Sequence, residues 1–429
     1  MRTFFRLMPV LWLVGYLPAT LAQTEVLADI AAGRNGESPG TPQLVGSQRD
    51  ILDIVRTLAV RYGAGRRIMK ERDTTKLQNG RPLVWIIPQV GYSRQTGLLG
   101  QVLGNVAFRR PFANVSTQIS TLSYTANNQQ ILTSMLNYWT AHNTWNLTTD
   151  MRLMHYPQAT YGLGMYTTTD RIINMDYQYL RSYVTLLRRL ASNLYGGLGM
   201  QLDLHWGIDS YDDRRERLAI SRYPFGVSGR SVAAGPTLNL LYDNRPNSIN
   251  TLQGFYANLV FRQNLTRLGS DRPSQLLQLD VRKYVSLSAS RPETVLAFWS
   301  YNALTLSGNP PFLDLPATGW DISSNTGRGY IQGRFRGKDL LYAEAELRFG
   351  ITADRLLGGV VFVNAQTVSQ PYFTRQFTDS PHRFERVAPA AGLGLRLRMN
   401  KLSRTNLAID YAFGIEGSQG VYFNLGEVF

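Results

Sequence analysis

Thr405-Asn406-Leu407-Ala408-Ile409-Asp410-Tyr411-Ala412-Phe413-Gly414-Ile415-Glu416 alternates with period two. On an extended chain Leu407, Ile409, Tyr411, Phe413 and Ile415 share one face, while Ala408, Asp410, Ala412, Gly414 and Glu416 share the other. Residues 393–400 repeat the pattern, with Leu393, Leu395, Leu397 and Met399 opposite Gly394, Arg396, Arg398 and Asn400. In 198–206, Leu198, Met200, Leu202, Leu204 and Trp206 oppose Gly199, Gln201, Asp203 and His205. A soluble sandwich also alternates, but its strands are shorter and its apolar face is the hidden one. Charge on the small-residue face, sustained over about ten residues, marks strands with lipid on one side and a polar lumen on the other.

Extending this reading along the chain gives sixteen segments, near 82–92, 100–110, 115–125, 130–139, 145–156, 173–187, 194–208, 232–244, 254–265, 275–288, 294–307, 339–351, 356–368, 389–400, 405–416 and 420–429. An even count suits a closed barrel with both ends in the periplasm. The long connections 209–231, 308–338 and 369–388 all fall on the outward side, and the short ones 110–114, 289–293, 352–355 and 401–404 on the other. The expected fold is all-β, a 16-stranded antiparallel transmembrane β-barrel with a short N-terminal helix.

Upstream, Arg2 and Arg6 precede an apolar run from Leu7 to Leu17, followed by Pro18-Ala19-Thr20-Leu21-Ala22. This is the layout of a signal peptide cut after Ala22. The expected organisation is a signal peptide at 1–22, a flexible lead, amphipathic helix and linker at 23–80, and the barrel at 81–429. The helix spans 48–62: Ser47 caps it with Asp50, Ile51, Ile54, Val55, Leu58 and Tyr62 form one stripe, and Gly63 ends it. Beyond Ala22 no apolar run is long enough for a membrane-spanning helix. Export to the outer membrane of a Gram-negative cell follows.

Composition removes several functions. Loss of Arg2 and Arg6 takes the formal charge from +15 to +13, but an exported chain has no nucleic-acid partner, so the Arg excess faces lipopolysaccharide phosphates or passing anions. With no cysteine there is no disulfide, thiolate metal site or cysteine nucleophile. The four histidines lack metal-ligand spacing, so no cofactor or metal is expected. Gly36-Glu37-Ser38-Pro39-Gly40 matches a hydrolase elbow in letters only, having neither the preceding strand nor the following helix. His155 and His205, the strand histidines, have no serine at a useful spacing. An enzyme is not expected.

Several stretches, taken in order, resemble the BamA/TamA family of bacterial surface antigen barrels. They are Tyr242-Asp243-Asn244-Arg245-Pro246 with Gly254; Gly327-Arg328-Gly329-Tyr330 followed by Gly333-Arg334-Phe335-Arg336-Gly337-Lys338; Leu341 to Phe349; Val361-Phe362-Val363-Asn364-Ala365-Gln366; and Ser403 to Phe429. The resemblance covers 230–429 in motif and 81–230 in strand pattern. It implies a barrel that inserts outer-membrane proteins or translocates polypeptides through a seam between first and last strands. The implied partners are outer-membrane lipids including lipopolysaccharide, client outer-membrane or secreted proteins, and periplasmic accessory proteins. It also implies that loop 308–338 folds into the lumen, where Arg328, flanked by Gly329 and Tyr330, meets acids on the wall. Parity turns Glu344, Glu346 and Asn364 inward; Arg328–Glu346 is the expected pair, with Asn364 a neutral second contact. Pro88, unable to donate to a ladder, is expected at an edge or bulge of the first strand, and Phe429 at the end of the last, so that both mark the seam. Two departures stand out. Residues 23–80 are too short for the family's periplasmic POTRA domains, and Asn364 stands where the family carries aspartate. A passive channel or structural barrel is the rival expectation.

Overall fold

The computed structural model describes residues 48–51, 53, 54, 57, 81–93, 95–170, 172–212, 214–220, 223–369, 384–401 and 404–429. The expected signal peptide, the 36–40 motif, the expected linker, His382 and most of the helix expected at 48–62 lie outside them. The first strands are β1 Leu83–Ser93, β2 Gly97–Arg109, β3 Val115–Thr125, β4 Gln130–Trp139, β5 Trp145–His155, β6 Gln158–Thr160, β7 Ile173–Ala191, β8 Leu194–Tyr211 and β9 Gly229–Asp243. The others are β10 Gly254–Asn264, β11 Ser274–Ser286, β12 Val295–Gly308, β13 Leu340–Gly350, β14 Leu357–Val368, β15 Ala388–Asn400, β16 Thr405–Gly414 and β17 Gln419–Leu425.

All seventeen belong to one sheet, and its ladders are antiparallel between sequence neighbours. The seventeenth strand, absent from the sequence reading, is β6. It pairs with β7 beyond the point where β5 stops pairing with that same strand. Pro157, which has no N–H to give, lies in the break. β5 and β6 therefore form one interrupted wall element.

Burial is inverted relative to a soluble protein. Ile86 and Leu198 are 75% and 64% exposed, and Leu393, Leu395, Tyr411 and Phe413 join them on the outside. Inside, Asp410 and Glu346 are fully covered. Small residues on the inner face make room for these charges. A Cβ on Gly394 of β15 would stand 1.8 Å from Asp410 Oδ1.

β1 and β17 come within 8 Å of each other, bringing the sheet round on itself. No ladder joins them among the described residues, whereas β1–β2 and β16–β17 are both in continuous register. Pro88 lies opposite Val102 without a bulge, so the edge alternative holds: its exposed ring sits on the strand that borders the seam.

Ile51, Asp53, Ile54 and Thr57 have helical backbone. Asp50 and Asp53 make a reciprocal cap, at 2.9 and 3.2 Å; Ser47, the cap expected from the sequence, lies outside the described residues. Asp50 also accepts from the Lys401 backbone at 2.9 Å, and Asp53 from Lys401 Nζ at 2.8 Å. Ile51 packs near Met399, Leu407 and Leu425, so this turn of helix docks on the rim formed by the short turns.

Candidate functional site

The 309–339 connection between β12 and β13 folds inward and is largely buried. Gly327 and Gly329 take positive φ of 78° and 105° on either side of Arg328, which presents its side chain to the wall. A side chain at 329 would also meet Ala390 Cβ at 2.7 Å. Glycine is required there on both counts.

Arg328 is 1% exposed. Its Nη2 donates to both Glu344 and Glu346 of β13, and its Nη1 to Asp410 Oδ2 of β16 at 2.5 Å. The guanidinium lies 3.5 Å from the centroid of the Phe362 ring. Asn364 Nδ2 donates to the Arg328 carbonyl at 2.9 Å, so it holds the loop backbone rather than the guanidinium. The structure thus brings Arg328, Glu346 and Asn364 together, and adds two carboxylates to the expected pair.

The charges continue around the wall as a closed ring. Arg348 Nε donates to Glu346 at 2.8 Å and lies 3.8 Å from Glu427; Arg396 donates to Glu427 at 2.7 Å and to Asp410 at 2.5 Å. Asp410 returns to Arg328. Arginines and carboxylates alternate throughout, and every member is buried or nearly so. The desolvation cost of such charges is offset only when each has partners of opposite sign, and every charge in the ring has at least two, although Arg328 Nε and Arg348 Nη1 make no hydrogen bond.

Beyond Arg328, the loop tip is tied to the last strands. Tyr330 OH donates to the Pro389 carbonyl at 2.6 Å and accepts from the Ile415 N–H at 3.1 Å. The Tyr422 hydroxyl of β17 accepts from Gly329 N at 2.9 Å and donates to the Tyr330 carbonyl at 3.0 Å. Arg336 donates to the carbonyls of Phe312, Leu313 and Leu315, fastening the loop to itself.

Residues 113–429 match the Omp85 superfamily domain model, about three quarters of the chain. The chain belongs to the Omp85 superfamily. It is an Omp85-family outer-membrane barrel, similar in fold to BamA from Haemophilus ducreyi lacking POTRA domains 1–3, with TM-score 0.53 at 17% identity over 80% of this chain and 70% of that one. CdiB from Escherichia coli gives TM-score 0.51 at 12% identity over 86% and 73%. CdiB from Acinetobacter baumannii gives 0.50 at 13% over 81% and 60%. This Omp85 barrel therefore spans 60% to 73% of the lengths of these relatives. No curated protein sequence matched it.

One expected site residue is elsewhere. Phe429 is not on the seam of this Omp85 barrel: β17 ends at Leu425, and the chain turns inward at Gly426, whose φ is +101°. Glu427 is drawn to Arg396 and Arg348, and the Phe429 ring packs 5.2 Å from Trp299 and 5.1 Å from the Arg348 guanidinium. Arg348 also donates to the Phe429 carbonyl at 3.0 Å, and Asn325 of the loop to the Val428 carbonyl at 2.7 Å. The outward residues Val421 and Phe423 follow the expected alternation.

The Tyr242–Pro246 motif is turn architecture. Arg245 Nε pairs with Asp243 at 2.9 Å and its guanidinium covers Tyr256, while Asn244 accepts from the Phe255 backbone at 2.7 Å. Among the described residues neither strand histidine has a serine hydroxyl in hydrogen-bonding range. His155 bonds Asp176 at 2.6 Å, and His205 stacks on Tyr179.

Proposed function

We propose that this barrel inserts or translocates polypeptide through the gap between β1 and β17, with the buried loop serving as the internal brace. The observation that carries the reading is the contrast in pairing. Sequence neighbours around the sheet are laddered, and β1 and β17 are not. An unladdered strand edge exposes donors and acceptors that another chain can extend. Tyr422 lends further support, because it connects the loop tip directly to the seam strand.

The test is in-cell photo-crosslinking from position 86, whose side chain faces outward on β1. Capture of nascent outer-membrane or exported chains supports the proposal. Capture of β17 of the same molecule alone contradicts it.

A second reading, a passive barrel, is favoured by how much of the lumen the loop and the 426–429 tail occupy. Under it, a tether across the seam leaves cellular function unchanged.

A further inference from the structure

Where the short turns gather, a polar chamber opens beside the ion-pair ring. It encloses about 40 Å³ and is lined by four arginines, Arg348, Arg355, Arg396 and Arg398, against two glutamates, Glu293 and Glu427. A water needs roughly 10–15 Å³ by this measure, so the space suits a few waters or one tetrahedral oxyanion.

Four buried polar atoms on this chamber lack hydrogen-bond partners: Arg348 Nη1, Arg398 Nε, Glu293 Oε2 and Asn406 Oδ1. Arg348 and Asn406 are each 4% exposed, so bulk water does not satisfy them. The Arg398 guanidinium makes no hydrogen bond or ion pair with any described residue, unlike Arg396 beside it on the same face. Asn406 is held in one orientation, because its amide nitrogen donates to Glu427 at 2.6 Å. Glu293 engages Arg355 at 3.2 Å through its other oxygen. In the adjacent turn, burial and then the like charge of Arg355 lower the Arg404 guanidinium below its ordinary value. Arg348, Arg355 and Arg396 each have a carboxylate within ion-pair distance, so the one unpaired positive charge on the chamber is that of Arg398.

We propose that this chamber binds a phosphate group that retains a proton, either inorganic phosphate or a terminal phosphomonoester. The two free arginine donors need an anionic acceptor. Glu293 and Asn406 need a donor, which a carboxylate or sulfate does not have and a P–O–H group does. Water satisfies both kinds of atom but leaves the Arg398 charge without a counter-ion.

The experiment uses the purified barrel in phosphatidylcholine nanodiscs, which present no phosphomonoester. Calorimetric titration with inorganic phosphate is compared with sulfate at matched pH and ionic strength. Phosphate binding that exceeds sulfate binding, and that weakens at least about tenfold in Arg398→Gln for loss of one charged hydrogen bond, is the expected result. Glu293→Gln provides a gain of function: its amide donates to an unprotonated oxyanion, so sulfate binds as well as phosphate. Nanodiscs containing phosphatidic acid, without free phosphate, separate the sources; if they occupy the chamber and block the titration, a lipid headgroup reaches it. Equal response to phosphate and sulfate in the unmodified protein, or an unchanged response in Arg398→Gln, overturns the proposal and leaves a hydrated chamber.

Discussion

Arg328→Ala removes the one cation that faces three buried carboxylates. Glu346 and Asp410 keep Arg348 and Arg396, but Glu344 is left with the Tyr342 hydroxyl as its remaining polar partner. Removing one member of a buried ion pair typically costs about 3–5 kcal/mol, because the other charge stays desolvated and unpaired. With the unfolding entropy of ordinary domains scaled to a chain of this length, that corresponds to a fall of roughly 3–6 °C in midpoint. The assay is thermal unfolding in detergent, followed by loss of compact electrophoretic mobility. Arg328→Lys restores charge but not the fork, and one ammonium cannot span β13 and β16 as the guanidinium does. It falls between wild type and alanine. Arg328→Ala with Glu344→Gln recovers part of the loss, since the stranded charge is gone. An unchanged midpoint in Arg328→Ala refutes the claim that the cluster braces the barrel.

Gly394→Ala forces Asp410 off its bonds to Arg396 and Arg328, and lowers stability by about 1–3 kcal/mol in the same assay. Tyr330→Phe loses the bond to the Pro389 carbonyl, about 0.5–1.5 kcal/mol, and speeds proteolysis within 309–339. Glu427→Gln opens the ring between Arg348 and Arg396 and frees the tail, read as a change in Trp299 fluorescence when Phe429 leaves it. Glu416, in the β16–β17 turn, is held below its ordinary carboxylate value, first by the hydrogen bond from Arg386. The contribution of this contact is complete above the unfolded value and fades as pH falls through the folded one. Glu416→Gln therefore flattens the acid side of the stability profile.

Strand phase was legible because lipid imposes a strict inside–outside alternation on every wall segment. Asp410, Arg348 and Arg396 were recognisable as inward by parity alone. Their assembly into a ring was not, because it depends on register: Asp410 faces Gly394, Gly394 faces Val360, and Val360 faces Arg348 across three ladders. Glu344 could be placed on the same face as Glu346, but only the loop geometry shows one guanidinium reaching both. The tail misled the sequence reading. Alternation through Val421 and Phe423 extrapolates smoothly to Phe429, while the turn at Gly426 and the attraction of Glu427 to Arg396 redirect it into the lumen. The missing N–H of Pro157, which divides β5 from β6, was present in the sequence as a usable signal.

The central claim is that the β1–β17 seam opens in use. The chain has no cysteine, so pairs introduced along Val84–Val90 and Val421–Leu425 form the only thiols. Function is then measured in cells with a seam disulfide formed and again after its reduction. The account predicts arrest when the seam is tethered and recovery when it is released. Full function with every molecule tethered contradicts it.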